Sequence, residues 1–128
     1  MRLLLDTHVL LWFLIDHPKL SAIAKAALID PANERWLSPI SLFEIAIKVR
    51  IGKLPLHTPF AALFPSQLTA NHIQLLPLEI SHIEPLTTLA LHHKDPFDRL
   101  IATTALAEGF TLVSSDVAFD AYGLSRLW

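Results

Sequence analysis

The sequence predicts an α/β fold, with one central parallel sheet and helices on both of its faces. Three features favour this class. Short apolar segments of strand length alternate with longer segments of helical character along the chain. Helices separate most of the predicted strands, which implies right-handed crossovers between parallel neighbours. No repeat, low-complexity tract or linker divides the 128 residues, so residues 1–128 are expected to form one domain.

The first half of the chain predicts two strands and three helices. The strands are Arg2 to Leu5, which is apolar after its first residue, and Arg35 to Leu37. The helices are Thr7 to Ile15 with Asp6 or Thr7 as N-cap, Ser21 to Ile29 ending at Asp30-Pro31, and a helix from Ser41 to the Gly52 stop. Glu44 stands three residues after Ser41, which is the spacing of a capping box.

The second half continues the alternation. The predicted helices are Pro59 to Leu68 with an interruption at Pro65, Ser81 to His92 with Pro85 near its first turn, and Phe97 to Glu108 ending at Gly109. The predicted strands are Ile73 to Leu76, Phe110 to Val113 and Leu124 to Leu127.

Composition excludes several classes of protein. The formal charge is −2, from 10 Lys and Arg against 12 Asp and Glu, so nucleic-acid binding would have to be local. The absence of Cys excludes disulfides and thiolate metal sites and fits a reducing cytoplasm. Hydrophobic residues make up 52% of the chain, which predicts apolar surface that a second copy or another partner covers.

No membrane segment or signal peptide is expected. Asp6 and His8 interrupt the apolar amino terminus, and the apolar run from Val9 to Ile15 is far shorter than the ~20 residues needed to span a bilayer. The sequence therefore predicts a soluble, cytoplasmic protein.

Four acidic residues each stand where an apolar segment meets a turn or a helix start: Asp6, Glu44, Asp98 and Asp116. The carboxyl ends of parallel strands meet along one edge of a sheet, so distant carboxylates can converge there. Clustered carboxylates repel one another unless a cation intervenes, and oxygen ligands suit Mg²⁺ or Mn²⁺.

Each acid also has a purely structural interpretation. Asp98 and Asp95 can complement the dipole of the helix they open, and Glu44 can complete its capping box or pair with Lys48 one turn later. Asp116 resembles a turn residue. Asp6 is the exception, because an unpaired charge at the end of a buried strand is costly.

Other catalytic patterns are missing. No two of the seven His residues are three or four positions apart, so no helix offers a paired-imidazole zinc motif. With 3 Gly in the chain, no glycine-rich nucleotide loop or serine-hydrolase elbow occurs.

Together the acidic motifs resemble those of PIN-domain ribonucleases, and more closely the VapC-type toxins of prokaryotic toxin–antitoxin pairs. The segments that carry the resemblance run in the family's order: Leu3 to Trp12 (LLLDTHVLLW), Ser41 to Lys48 (SLFEIAIK), Asp95 to Ala102 (DPFDRLIA) and Leu112 to Asp116 (LVSSD). The resemblance implies that Asp6, Glu44, Asp98 and Asp116 form the catalytic, metal-holding quartet. It assigns Thr7, Ser115 and Asp95 supporting roles without contact to the metal.

The resemblance also implies an activity and partners. The expected reaction is Mg²⁺- or Mn²⁺-dependent hydrolysis of RNA, with Asp6, Asp98 and Asp116 holding metal and Glu44 holding a second ion or orienting water. Basic residues would hold phosphates at the rim, chiefly Lys48, Arg50 and Arg99, with Lys53, His92, His93 and Lys94 nearby. The family pattern further implies a homodimer that binds a small antitoxin protein.

Two alternatives stay open at this stage. A PIN module without catalysis would serve as an RNA-binding or assembly scaffold. A receiver or haloacid-dehalogenase-like phosphatase would be another acid-rich α/β protein, but the phosphatase needs Asp where His8 stands, and a receiver normally has adjacent acids near its first strand.

Overall fold

The computed structural model describes residues 1–128 and contains one five-stranded parallel sheet. Its strands are β1 (Arg2–Leu5), β2 (Glu34–Leu37), β3 (Ile73–Leu75), β4 (Thr111–Val113) and β5 (Ser125–Leu127). The spatial order is β3-β2-β1-β4-β5. The chain therefore places β2 and β3 on one side of β1, and then β4 and β5 on the other side. Sequence order reverses between β1 and β4, which is where open α/β sheets place their ligand sites.

Seven α-helices and two 3₁₀ helices connect the strands. The α-helices are α1 (Thr7–Leu14), α2 (Ala22–Ile29), α3 (Pro39–Arg50), α4 (Phe60–Leu63), α5 (Ser66–Ala70), α6 (Ile80–Ile83) and α7 (Pro96–Glu108). The 3₁₀ helices are Glu84–Thr87 and Val117–Tyr122. None of these helices combines the length and the apolar composition needed to cross a membrane.

Two buried clusters cover the two faces of the sheet, as alternation along β1 requires. Leu3 and Leu5 pack with residues of α1, α2 and α3 in a cluster of 13 buried residues. Leu4 packs against α7 and β4 in a cluster of 7. The predicted parallel sheet with helices on both faces is confirmed.

Several predicted caps are also present. The side chains of Asp6, Ser21 and Asp95 each accept a hydrogen bond from a backbone N–H in the first turn of α1, α2 and α7. Helix α7 ends at Gly109, whose φ of 69° is one that a residue with a side chain rarely adopts. The predicted interruption at Pro65 separates α4 from α5.

Two predictions about helix boundaries were wrong. The capping box of Ser41 and Glu44 does not form, because α3 begins at Pro39 with Ser38 as its N-cap. Proline favours the first helical position, since its φ is preset and its missing N–H is not needed there. Ser41 and Glu44 consequently lie inside the helix, where both are buried.

The predicted helix from Ser81 to His92 is much shorter than expected. Helix α6 ends at Ile83, a 3₁₀ turn covers Glu84–Thr87, and residues 88–95 form no regular element. Pro85 has no amide hydrogen with which to continue the α-helical bonds. The irregular segment brings His93 to the edge of the sheet beside α7.

Candidate active site

All four predicted acids lie at the carboxyl edge of the sheet. Asp6 directly follows β1 and caps α1, while Asp116 follows β4 and caps a 3₁₀ helix. Asp98 lies in the first turn of α7, and Glu44 lies on the buried side of α3. Parallel pairing of Leu5 with Val113 places the ends of β1 and β4 side by side.

Asp6 is almost completely buried, at 5% exposure. One of its carboxylate oxygens accepts from the Ser114 hydroxyl at 2.7 Å and the other from the Thr7 backbone N–H at 2.8 Å. Burial raises the pKa of Asp6, the charge of Glu44 raises it further, and the two hydrogen bonds oppose this shift. The two hydrogen bonds therefore hold this carboxylate in position, although burial and the charge of Glu44 disfavour its ionised form.

Glu44 is bound on both carboxylate oxygens. Thr7 Oγ1 donates to one of them at 2.8 Å and lies 2.9 Å from Ser41 Oγ. Thr7 has a single hydroxyl hydrogen, so Ser41 donates to Thr7 in turn. Lys48 donates to the other oxygen. Burial lowers the pKa of Lys48, but the hydrogen bond to Glu44 together with the negative charges of Glu44, Asp95 and Asp98 outweighs it, so the net shift is upward.

Asp98 also has a strongly perturbed carboxyl group. Its pKa is raised to about 7, first by burial and then by the negative charges of Asp6, Asp95 and Glu44, with His93 opposing them. A carboxyl group reaches such a value where negative charge is concentrated without enough compensation. The charges of Asp6 and Glu44 therefore act on Asp98, as expected for carboxylates that share one site.

Asp116 joins the group through a histidine. His93 Nε2 lies 2.7 Å from Asp116 Oδ2 and 3.1 Å from Asp98 Oδ2. Burial acts to raise the pKa of Asp116, but the Ala118 N–H and His93 outweigh it, so the net shift is downward. His93, Asp98 and Asp116 place three ligand-type atoms within 4.8 Å of one another.

Three contributors to the site were not predicted in these roles. His93 was expected at the rim, yet its ring lies between two of the acids. Its irregular segment has no periodicity that would have revealed this. Ser114 is fully buried and binds Asp6, whereas Ser115, the predicted supporting residue, is exposed. The side chains of neighbouring serines at a strand end point in different directions, and Ser115 was predicted where Ser114 makes the contact. The third residue is Ser41, whose hydroxyl group forms a hydrogen bond with that of Thr7.

The predicted phosphate-binding residues differ in their surroundings. Arg50 is exposed at the end of α3, but Lys48 is paired with Glu44. Arg99 is half-buried and donates through Nη2 to the Leu89 carbonyl at 3.4 Å. Its guanidinium thus faces the irregular segment before α7, while Arg50 remains available at the surface.

A divalent cation suits the donors at this edge. Carboxylate oxygens are the ligands that Mg²⁺ and Mn²⁺ prefer, and the raised pKa of Asp98 indicates negative charge that a cation would stabilise. The residues present therefore fit such an ion.

A second acidic group, around His82, is already fully paired. His82 Nδ1 accepts from the Glu79 N–H at 3.1 Å, and its Nε2 lies 2.7 Å from Glu108 Oε1. These bonds attach α6 to the end of α7, so the group has a structural role.

An apolar groove of about 570 Å³ lies apart from the acids. One side is α1, with His8 and Trp12, and the other is the segment around Leu54 and Leu56. None of the four acids lines it.

Comparison with known proteins agrees with this architecture. The PIN domain family model matches residues 3–124. Ribonuclease VapC22 of Mycobacterium tuberculosis (strain ATCC 25618 / H37Rv) is 34% identical over 116 residues, covering 88% of this chain and 85% of that protein.

Solved structures show the same fold. VapBC2 from Rickettsia felis, bound to a DNA fragment from its promoter, aligns with a TM-score of 0.68 at 20% identity, covering 98% of this chain and 97% of the other. VapBC-1 from nontypeable Haemophilus influenzae aligns with a TM-score of 0.68 at 19% identity, covering 98% and 96%. The family model and the mycobacterial relative together establish that this chain belongs to the PIN domain family.

Proposed function

We propose that this protein is a metal-dependent endoribonuclease and the toxin of a VapBC-type toxin–antitoxin pair, with residues 1–128 as its nuclease domain. The observation that carries the proposal is the convergence of acids at one edge of the sheet: His93, Asp98 and Asp116 offer three ligand-type atoms within 4.8 Å of one another, and the charges of Asp6 and Glu44 help to raise the pKa of Asp98. The similarity to a VapC ribonuclease supports RNA as the substrate.

The carboxylates have distinct roles in this proposal. Asp6, Asp98 and Asp116 hold Mg²⁺ or Mn²⁺, directly or through water. When bound, the ion lowers the pKa of a water molecule and neutralises charge on the phosphoryl oxygens. Glu44 already accepts hydrogen bonds on both oxygens, so we assign it chiefly the orientation of water, with a contact to a second ion as the other possibility.

Three neighbours support these carboxylates. Thr7 and Ser114 fix Glu44 and Asp6 by hydrogen bonds. Asp95 caps α7 through the Phe97 N–H at 2.9 Å and raises the pKa of Asp98 by its charge. The α7 amino terminus in turn positions Asp98.

RNA would approach across α3 and the start of α7. Arg50 is the exposed cation of the predicted set, and Lys48 is half-buried beside Glu44. Because the overall charge is −2, binding depends on these local contacts and on the shape of the RNA rather than on a general field.

We further propose that a small antitoxin is the protein partner, that the toxin forms a homodimer, and that it acts in the cytoplasm. The structural neighbours are VapBC assemblies. Exposed large hydrophobic side chains such as Ile15, Ile23 and Ile29 provide surface for such contacts.

The test is cleavage of cellular RNA by the purified chain with Mg²⁺ or Mn²⁺, followed by mapping of the new 5′ ends. Asp98→Asn keeps the shape of the side chain but removes its charge, so we expect cleavage to be lost. Asp30 is an exposed acid that follows α2. Asp30→Asn is therefore the matched control and should cleave as the wild type does. Full cleavage by folded Asp98→Asn would overturn the proposal, and RNA binding without cleavage by the wild type would favour a scaffold.

A further inference from the structure

The ring of His93 fills the space between two carboxylates of the proposed metal site. Its Nε2 contacts Oδ2 of both Asp116 and Asp98, at 2.7 and 3.1 Å. Mg²⁺ binds its oxygen ligands at about 2.1 Å, so an ion held by both oxygens would need the space between them that His93 Nε2 now occupies.

The other ring nitrogen determines where the proton is. His93 Nδ1 accepts from the backbone N–H of Asp95 at 3.2 Å, and therefore has no hydrogen of its own. The hydrogen of the neutral ring is then on Nε2 and points at the carboxylates. A metal-binding histidine needs a free lone pair on the coordinating nitrogen and usually donates from the other one. His93 shows the opposite arrangement.

Different contacts hold the main chain and the side chain of His93. The backbone N–H of His93 donates to the Tyr122 hydroxyl at 2.8 Å, which fixes the main chain. The ring lies against Phe119 on one side, with centroids 5.4 Å apart, and its side chain is 15% exposed. Rotation about the side-chain bonds would therefore move the ring away from the carboxylates while the main chain stays in place.

We propose that His93 is a placeholder that competes with the divalent cation: its Nε2–H holds Asp98 and Asp116 together in the metal-free protein and leaves when the ion binds. This inference rests on the proposed metal-dependent function. A bound ion would take over the two oxygens that His93 now bridges. The apparent metal affinity is then the intrinsic affinity multiplied by the fraction of molecules in which the ring has left the site.

The opposite role, His93 as a metal ligand, makes the opposite prediction. Removing a ligand weakens binding, whereas removing a competitor strengthens it. Calorimetric titration of metal-free protein with Mn²⁺ separates the two. Breaking hydrogen bonds to carboxylates corresponds to an affinity change of about tenfold or more, so we expect His93→Ala to bind Mn²⁺ about tenfold more tightly than the wild type.

Two further variants complete the titration. His92→Ala changes the adjacent, exposed histidine, whose ring packs on Tyr122, and should match the wild type. Asp98→Asn should weaken binding and thereby show that the titrated site is the acidic one. Unchanged or weaker binding by His93→Ala would overturn the inference and leave the proposed nuclease function standing. Absence of Mn²⁺ and Mg²⁺ binding by the wild type would overturn both.

A measurement on the wild type covers the case in which His93→Ala does not fold. Nuclear magnetic resonance should show a proton on Nε2 and contacts between the His93 and Phe119 rings in the metal-free protein. Saturating Mg²⁺ should remove these contacts. Their persistence at saturation would overturn the inference.

Discussion

The hydroxyl group of Ser114 donates to the carboxylate of Asp6 at 2.7 Å, although the two residues are 108 positions apart in the sequence. Both are buried, and each lies just beyond the end of its strand, β4 and β1. This bond joins the two strands at the point where the strand order reverses, and it keeps Asp6 facing the other acids.

Ser114→Ala should therefore destabilise the protein and reduce cleavage. A buried carboxylate oxygen that loses its donor costs about 1–3 kcal/mol. Urea denaturation should show a decrease of that size in the free energy of unfolding. Ser115→Ala, in the exposed neighbour, should stay within about 0.5 kcal/mol of the wild type. Equal effects of the two substitutions would contradict the assignment of Ser114.

Thr7→Val should remove the hydrogen bond that joins α1 to Glu44. Valine has nearly the same shape but no hydroxyl group, so one oxygen of Glu44 and the Ser41 hydroxyl both lose a partner. We expect a loss of about 1–3 kcal/mol in the free energy of unfolding and slower RNA cleavage. Thr7→Ser keeps the hydroxyl group and should retain most of both properties. A fully active and stable Thr7→Val protein would refute this role.

The metal-free protein should lose stability as the pH rises from about 4 to about 7. The pKa of Asp98 is about 7 when folded, against 3.8 ordinarily, so the folded state binds more protons in that interval than the unfolded chain. The free energy of unfolding therefore falls with rising pH. Denaturation in EDTA at several pH values measures this slope.

Asp98→Asn should flatten that slope without abolishing it, because the pKa of Asp6 is raised as well. The variant should be more stable than the wild type above about pH 7, and the difference should shrink towards about pH 4. Asp30→Asn provides the control, with a slope parallel to that of the wild type. Parallel slopes for Asp98→Asn and the wild type would disprove the shift.

Divalent ions should stabilise the wild type measurably. At a concentration 100 times the dissociation constant, a ligand that binds only the folded state adds about 2.7 kcal/mol. Thermal unfolding with EDTA and with increasing Mn²⁺ should show a rising Tm for the wild type and a much smaller rise for Asp98→Asn. Cleavage should stop in EDTA and return with the ion. Identical Tm shifts in the two proteins would place the ion elsewhere.

The sheet was predictable from sequence because apolar runs such as Leu3 to Leu5 can only be buried. That topology also predicted which acids lie at the carboxyl edge of the sheet, namely Asp6, Glu44, Asp98 and Asp116. Helix starts were less predictable, because Ser38 and Ser41 are both plausible caps and the choice depends on where Pro39 lies.

The role of His93 was not predictable in this way. Its place in the site depends on how residues 88–95 turn after Pro85, on the Tyr122 hydroxyl and on the N–H of Asp95. These contacts join distant parts of the chain and leave no local pattern. The same holds for Ser114, since only the direction of the strand end distinguishes it from Ser115.

The central position of β1 has a consequence for synthesis on the ribosome. One neighbour of β1, β2, emerges soon after it, but the other, β4, begins at Thr111 and emerges more than 100 residues after Leu5. Contacts between such distant segments form late, because the intervening chain must first be ordered. A nascent or prematurely terminated polypeptide that lacks β4 therefore has no assembled acidic site, and the proposed nuclease activity can arise only after β4 has been made.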